Sequence, residues 1–367
     1  ASTSYILDQT APTISFASVD ISADTGTSDG DFNTKTAGQT LTATLSAAMA
    51  SDDILKVSVN AGSAWTTVTN DVTGSPDVSL STSITLAGSS SIHLQITDDA
   101  GNAGTADTTS YTLDTTAPTI TFASVDISAD TGTSATDFNT KTAAQTLTGT
   151  LSAAMASDDI LKVSVDAGSS WDDVTSDVTG SPDTALSTVI ALSGASAIHL
   201  QITDDAGNAG TADTTSYTLD TAAPTLTITI ASNNANTAQA KSGDVVTLTL
   251  EPSETLQGNP ACTIDGEAGT ASASGDDHLC TLTLSGDETA GNLAFSVTGG
   301  GTFADVAGNN GVADTSADTG AVNVDFTAPT VAITSSASNP VTSATFDVTI
   351  TFSESTSNFV NGDITVG

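Results

Sequence analysis

Apolar residues recur at every second position through much of this chain. Across Gln39–Ser46, Leu41, Ala43 and Leu45 alternate with threonine. Across Leu55–Val59 the apolar set is Leu55, Val57 and Val59, and across Ile92–Ile96 it is Ile92, Leu94 and Ile96, with His93 and Gln95 on the opposite face. A period of two is the strand period, and the Thr and Val that dominate these runs are strand formers. The same pattern predicts strands over Thr13–Val19, Trp65–Thr69, Leu80–Leu86 and Thr108–Leu113. Asn60-Ala-Gly-Ser-Ala64 between two runs reads as a hairpin turn. Ser46–Asp53 contains Ala47, Ala48, Met49 and Ala50, which suit one helical turn, but its place between the second and third strands makes it a loop. Trp65 and Trp171 are expected to fill the cores of their units, with stacking on a ligand as the alternative.

The strand pattern is written more than once. Asp8, Asp114, Asp220 and Asp325 each open a copy of a motif of the type Asp-Thr-Thr-Ala-Pro, at intervals of 106, 106 and 105 residues. Units 8–113 and 114–219 align without a gap and differ at 18 of 106 positions. This period matches one small domain and is too long for a solenoid repeat. Seven short strands spaced roughly 8–15 residues apart predict an all-β fold of tandem immunoglobulin-like β-sandwich domains in an extended string. The expected division is 1–7 as the end of a preceding unit or linker, repeats at 8–113 and 114–219, a divergent third domain at 220–324, and an incomplete fourth at 325–367. The chain starts at a repeat boundary and stops inside a repeat, so an excerpt of a longer protein is expected. Two or three strands cannot close the fourth sandwich. Either it is truncated or a neighbouring chain completes it by strand addition.

Charge narrows the partners. There is no arginine, and Lys35, Lys56, Lys141, Lys162 and Lys241 face 43 carboxylates, for a formal charge of −38. Nucleic acid and anionic lipid are excluded as electrostatic partners. No run of 18 apolar residues is present, so no membrane insertion is expected in this segment. Cys262 and Cys280 are the only cysteines and lie 18 residues apart in the third unit. In an extracellular setting they are expected to form a disulfide, because two thiols alone rarely hold a metal.

Strand order brings separate loops together. In a seven-strand antiparallel sandwich, loops two, four and six share the entry pole with the linker, and loops one, three and five share the exit pole. The entry pole of the first unit then holds Asp8, Asp52, Asp53 and the Asp98-Asp99-Ala-Gly-Asn102 loop, and its exit pole holds Asp24, Asp29 and Asp31. The second unit brings Asp114, Asp158, Asp159, Asp204, Asp205 and Asn208 to the same junction, and its own exit pole carries Asp130 and Asp137. Asp220, Asp305, Asn309 and Asp325 continue the series; the third unit has a single Asp in its sixth-strand loop, and Glu251 and Glu254 are expected to substitute for its missing Asp pair. Two like charges about 4 Å apart cost on the order of 4 kcal/mol at an effective dielectric near 20, and a hard dication reverses the sign. Oxygen-only donors in flexible turns fit Ca2+, with Mg2+ stricter in geometry and zinc or copper lacking their ligands. The competing reading is that Asp and Asn are good turn residues.

The entry motif Asp-Thr-Thr-Ala-Pro, the turn before tryptophan in Val-Ser-Val-Asp-Ala-Gly-Ser-Ser-Trp171 and the Asp-Asp-Ala-Gly-Asn loop resemble the bacterial immunoglobulin-like repeats of giant surface and biofilm adhesins. Thr227–Asp325 and Pro329–Gly367 resemble related modules of prokaryotic cell-surface and surface-layer proteins. The resemblance implies a secreted, cell-surface extender whose junction calcium stiffens a rod. It implicates Asp8, Asp98, Asp99, Asn102 and their later copies as ligands. The implied partners are neighbouring domains of the same longer chain, or identical chains if the domains tile into a surface layer or filament.

Enzyme readings find little footing. Asp24-Thr-Gly26, Asp130-Thr-Gly132 and Asp318-Thr-Gly320 match the aspartic-protease tripeptide, but polar flanks and separate domains deny the paired carboxylates that chemistry needs. His93 and His199 occupy one outward position twice, with no nucleophile elbow beside them, and His278 stands alone after Asp276 and Asp277. Outward rows such as Thr40, Thr42 and Thr44 raise a carbohydrate- or ice-binding alternative, yet exposed threonine is ordinary on a solvated strand. No Asn-x-Ser/Thr sequon occurs, which counts against a heavily N-glycosylated lattice.

Overall fold

The computed structural model describes residues 7–337, 345–356 and 359–365. It divides into two compact units, Ala1–Thr221 and Ala222–Gly367. The first repeat forms β1 (Phe16–Ile21), β2 (Asn33–Thr34), β3 (Gly38–Leu45), β4 (Ile54–Ser58), β5 (Thr66–Thr67), β6 (Val72–Gly74), β7 (Asp77–Thr85), β8 (Ser89–Thr97) and β9 (Asp107–Leu113). One sheet has the order β1-β3-β7-β6 and the other β2-β9-β8-β4-β5. The two face each other as an immunoglobulin-like sandwich. Leu41, Leu55, Leu80, Ile92, Leu94 and Ile96 are buried between them. Tyr111 is buried as well and satisfies its hydroxyl by donating to the Val59 carbonyl at 2.7 Å.

The second repeat reproduces this arrangement with β10 (Phe122–Ile127), β11 (Asn139–Thr140), β12 (Ala144–Leu151), β13 (Ile160–Ser164), β14 (Asp172–Asp173), β15 (Val178–Gly180), β16 (Asp183–Ala191), β17 (Ala195–Thr203) and β18 (Asp213–Leu219). Its sheets run β10-β12-β16-β15 and β11-β18-β17-β13-β14. In each repeat the chain enters on an antiparallel strand and leaves on a strand that is paired in parallel with a two-residue strand. In the first repeat β2 meets β9 with Asn33 opposite Thr112 and Thr34 opposite Leu113.

The second unit contains β19 (Leu226–Ser232), β20 (Gln239–Ala240), β21 (Val245–Pro252), β22 (Cys262–Ile264), β23 (Glu267–Ala268), β24 (Thr270–Ser274), β25 (Asp277–Thr283), β26 (Gly291–Asn292), β27 (Phe295–Val297) and β28 (Asn323–Val324). The main sheet is β19-β21-β25-β24, faced by the short sheets β20-β28-β26 and β23-β22-β27. Cys262 and Cys280 are joined, and the bond ties β22 to β25 across the two layers. It lies inside the core with Phe303, Leu248 and Val297. Beyond this sandwich, β29 (Val331–Ser335) and β30 (Val348–Phe352) pair as an antiparallel hairpin.

The alternation-based strands over Gln39–Ser46, Leu55–Val59, Leu80–Leu86, Ile92–Ile96 and Thr108–Leu113 all have counterparts here. Three features depart from the sequence reading. The first strand is shifted to Phe16–Ile21, because a bulge between Ala17 and Asp20 breaks the alternation and puts Ser18 at φ 48°. The strand expected over Trp65–Thr69 shrinks to two residues followed by a 3-10 turn at Thr69–Asp71. Trp65 and Trp171 are not core residues. Each lies half-buried on the outer face, its ring 6.2 and 6.1 Å from those of His93 and His199 respectively. The hairpin turn ends just before the tryptophan, so the parity of the preceding strand does not carry through to it. Ser46–Asp53 is a loop with no helix. No helix among the described residues is long and apolar enough to cross a membrane.

Candidate functional site at the junction between repeats

The loop from Ser22 to Ala37, which follows β1 and carries β2, forms one side of the junction between the first and second repeats. Its shape is set from within the first repeat. Gln39 occupies the inward parity of β3 with Leu41, Ala43 and Leu45, and is 4% exposed. Its side chain accepts from Ala23 N at 2.8 Å and donates to the Ala23 and Thr36 carbonyls at 3.0 and 2.7 Å. Thr34, fully buried, donates its hydroxyl to the Ala23 carbonyl at 2.6 Å. Buried polar side chains with every bond made specify one conformation of the loop.

Phe32 records the constraint. It is buried at 7% exposure yet sits at φ 61°, in the left-handed region. A bulky residue there is strained by about 1–3 kcal/mol and persists where its surroundings over-determine it. Here the Phe32 amide donates to Asp24 Oδ2 at 3.0 Å, and its carbonyl accepts from Thr112 N on β9 at 3.0 Å. Phe138 repeats the conformation at φ 58°, with its amide on Asp130 Oδ2 at 2.9 Å.

The other side of the junction is the turn Asp204–Asn208 of the second repeat. Asp204 closes that turn: Asn208 donates its backbone N–H to Oδ1 at 2.7 Å and its side-chain amide to Oδ2 at 2.9 Å. The same Asn208 amide reaches the Asp114 carbonyl at 3.0 Å and ties the turn to the linker. Asp98 and Asn102 make the equivalent contacts in the first repeat, with Asn102 reaching the Asp8 carbonyl at 3.2 Å. These bonds, the Asn102 amide first, hold the Asp98 carboxyl below its ordinary range. The first Asp and the Asn of each loop thus make the bonds of a turn former.

The second Asp is directed differently. Asp205 accepts from Thr27 Oγ1 at 2.7 Å and from Asn33 Nδ2 at 2.5 Å, both on the preceding repeat. Its carbonyl accepts from Thr27 N at 3.2 Å. Thr25 donates its hydroxyl to the Ala206 carbonyl at 2.7 Å, and Lys35 donates Nζ to the Gly207 carbonyl at 2.6 Å. Two glycines permit the approach: a Cβ on Gly26 would overlap the Asp205 carbonyl oxygen, and one on Gly207 would overlap the Thr25 carbonyl oxygen.

Two oxygens in this loop have no hydrogen-bond partner. Asp24 Oδ1 and Asn33 Oδ1 are both buried and unsatisfied, and Asp130 Oδ1 and Asn139 Oδ1 repeat the situation in the second repeat. Leaving such a group unpaired costs on the order of 1–3 kcal/mol. Burial raises the Asp24 carboxyl above its ordinary range against the lowering pull of the Phe32 amide, and Asp31, Asp20 and Asp29 add to the rise. Burial likewise raises Asp130, with Asp137 and Asp126 adding to it. On the facing repeat, Asp159 is raised by burial first and then by the charges of Asp204, Asp158 and Asp205. Asp53 and Asp159 each use Oδ2 to accept a backbone N–H of their own loop, from Ala50 and Ala156. Asp31 and Asp137 accept the Asn33 and Asn139 backbone N–H groups through Oδ1. Asp29 and Asp52 are exposed, and Asp99 is too. Orphaned hard oxygens beside crowded carboxylates fit a hard, oxygen-seeking dication; no sulfur or imidazole accompanies them.

In the second unit Asp305, fully buried, closes its turn with Asn309 as Asp98 does with Asn102. Glu254 brings a carboxylate oxygen within 4.8 Å of one of its own. Glu251 lies on β21 opposite Thr227. Asp325 accepts from Thr327 N, an Asx turn at the start of the last segment. The sequence reading missed Gln39, Thr34, Phe32 and Asn33. Strand parity marks Gln39 as inward, but no periodicity marks the other three.

Comparison with known proteins adds one assignment. Residues 325–367 match the family described as bacterial Ig-like domain. No curated protein matches the chain. Among solved structures, the tetra-tandem repeat from the extending region of a large adhesion protein is 19% identical over 88% of this chain and 85% of that one, with a TM-score of 0.27. The D1–D4 ectodomain fragment of ICAM-5 is 10% identical over 87% and 79%, also with a TM-score of 0.27. At such scores the fold rests on the chain's own sheets.

Proposed function

We propose that this chain is an extracellular structural extender segment of a repetitive prokaryotic surface adhesin, stiffened by calcium where one repeat meets the next. The carrying observation is the pair of buried, unpartnered oxygens, Asp24 Oδ1 and Asn33 Oδ1, beside the acidic turn of the following repeat. Asp24 and Asn33 would offer their unpartnered oxygens to the ion, with Asp205 bonded to Asn33 beside them, and the ion would supply the positive charge that five lysines against 43 carboxylates do not. Near-verbatim tandem copies and the bacterial immunoglobulin-like match at 325–367 support a role in span.

An enzymatic role has no support in the geometry. Asp24 is engaged with Phe32, Asp130 with Phe138, and Asp318 with the Ile228 amide at 2.8 Å, each within its own sandwich. His93 bonds Ser91 Oγ at 2.9 Å and packs on Trp65.

Calorimetric titration of the chelator-stripped chain with Ca2+ tests the ion. Saturable uptake at extracellular millimolar calcium is expected, and Asp24→Asn with Asp205→Asn should remove one class of sites. Absence of any uptake at these concentrations would refute calcium stiffening.

A further inference from the structure

We infer that the turn Asp204–Asn208 of the second repeat is a tension-resisting prop for the first repeat, and that it acts by pinning β2 against β9. The inference rests on the extender reading, because only a tethered chain carries tension. It does not rest on the ion.

The argument begins with strand direction. Tension enters the first repeat at β1 and leaves at the end of β9. Once β1 is stripped from β3, the load falls on β2, which is parallel to β9. Pulling two parallel strands from opposite ends slides one past the other, so their hydrogen bonds lie across the force and are loaded together. Thr112 N to Phe32 O and Asp114 N to Thr34 O, both 3.0 Å, are such bonds. A two-residue pairing is a short clamp on its own.

The second repeat lengthens it. Residues 25–35 are bonded to Asp205, Ala206 and Gly207 through Thr25, Thr27, Asn33 and Lys35. The second repeat is covalently continuous with β9, so it moves with β9 under load. To slide β2 along β9, the chain must break the docking bonds in the same step as the strand pair. Phe32 connects the two sets: its carbonyl is bonded to β9, and the next residue, Asn33, is bonded to Asp205. Its left-handed backbone sets the turn between the carbonyl bonded to β9 and the Asn33 side chain bonded to Asp205. Rupture therefore requires a larger set of simultaneous breaks than an isolated repeat would.

Gly26→Ala tests this. Gly26 does not have a positive φ, so alanine suits its backbone, but the new Cβ would overlap the Asp205 carbonyl and force the turn away. Gly30→Ala in the same loop meets nothing within 4 Å and serves as control. Lys35→Ala removes one docking bond with no added bulk. The full chain is held at constant force between its ends in chelator and again in calcium, with circular dichroism confirming that each variant is folded. In chelator, one of the two events that release a 106-residue repeat should shorten in lifetime about tenfold in Gly26→Ala and by a smaller factor in Lys35→Ala, with Gly30→Ala like wild type. Wild-type lifetimes in Gly26→Ala, or equal shortening in Gly30→Ala, would overturn the inference. So would a Gly26→Ala effect seen in calcium but absent in chelator, since the ion would then carry the load. If calcium alters nothing while Gly26→Ala still shortens the lifetime, the prop stands and calcium stiffening falls.

Discussion

Asp166 and Asn60 occupy the same turn in consecutive repeats and answer acid differently. Asp166 accepts from Ser170 Oγ at 2.6 Å, Ser170 N at 2.8 Å and Ser164 Oγ at 2.7 Å, and these bonds lower its carboxyl to about 2. Asn60 accepts from Ser58 Oγ and Ala64 N, both at 2.8 Å, and carries no charge. A carboxyl depressed in the folded state gives stability that is present above its unfolded value of 3.8 and is lost as pH falls through about 2. Between pH 4 and pH 2 the second repeat should therefore lose a contribution that the first never has. Acid unfolding followed by Trp171 fluorescence in a Trp65→Phe background reads this. Asp166→Asn should flatten the dependence in that window, and an unchanged profile would contradict the assignment. Residues of this kind were only partly legible. The strand alternation identified Leu41, Ala43, Leu45, Leu55, Val57, Ile92, Leu94 and Ile96 as inward, because one face of each strand meets a core. It could not reveal that Asp98 and Asn102 serve each other, because a turn aspartate and a metal aspartate look alike in sequence.

Most of the longer strands of the first repeat were legible, and the two-residue strands were not legible at their true length. β2, β5, β11 and β14 are too short to show a period, yet β2 and β11 carry the parallel pairing at the point of exit. The first strand was misplaced because its bulge resets the alternation. The disulfide is the clearest element-scale device. It joins the two layers of the third sandwich where the first two repeats have none, and it closes a separation of 18 residues. A cross-link over a loop of this size contributes about 3 kcal/mol in the chain-entropy account. Reduction should lower the melting transition of the third domain by several degrees and leave those of the two repeats in place, as scanning calorimetry with and without reductant would show. Equal shifts in all transitions would mean the bond is not local in its effect.

At the scale of the whole molecule, charge is the governing term. A formal charge of −38 on 367 residues repels itself, and carboxylates crowd on each side of the junction, Asp24 with Asp31, Asp20 and Asp29 on the first repeat and Asp159 with Asp204, Asp158 and Asp205 on the second. Direct hydrogen bonds hold that junction, but they leave buried oxygens without partners. Monovalent salt screens charges beyond about 10 Å at 0.1 M and cannot satisfy a buried oxygen, whereas a coordinated dication can. Small-angle scattering of the full chain at fixed ionic strength, in millimolar calcium and then in excess chelator, asks directly whether the junctions depend on the ion. The account predicts that chelation broadens the distribution of interdomain distances and that restoring calcium reverses it. Superimposable profiles in the two conditions would contradict it.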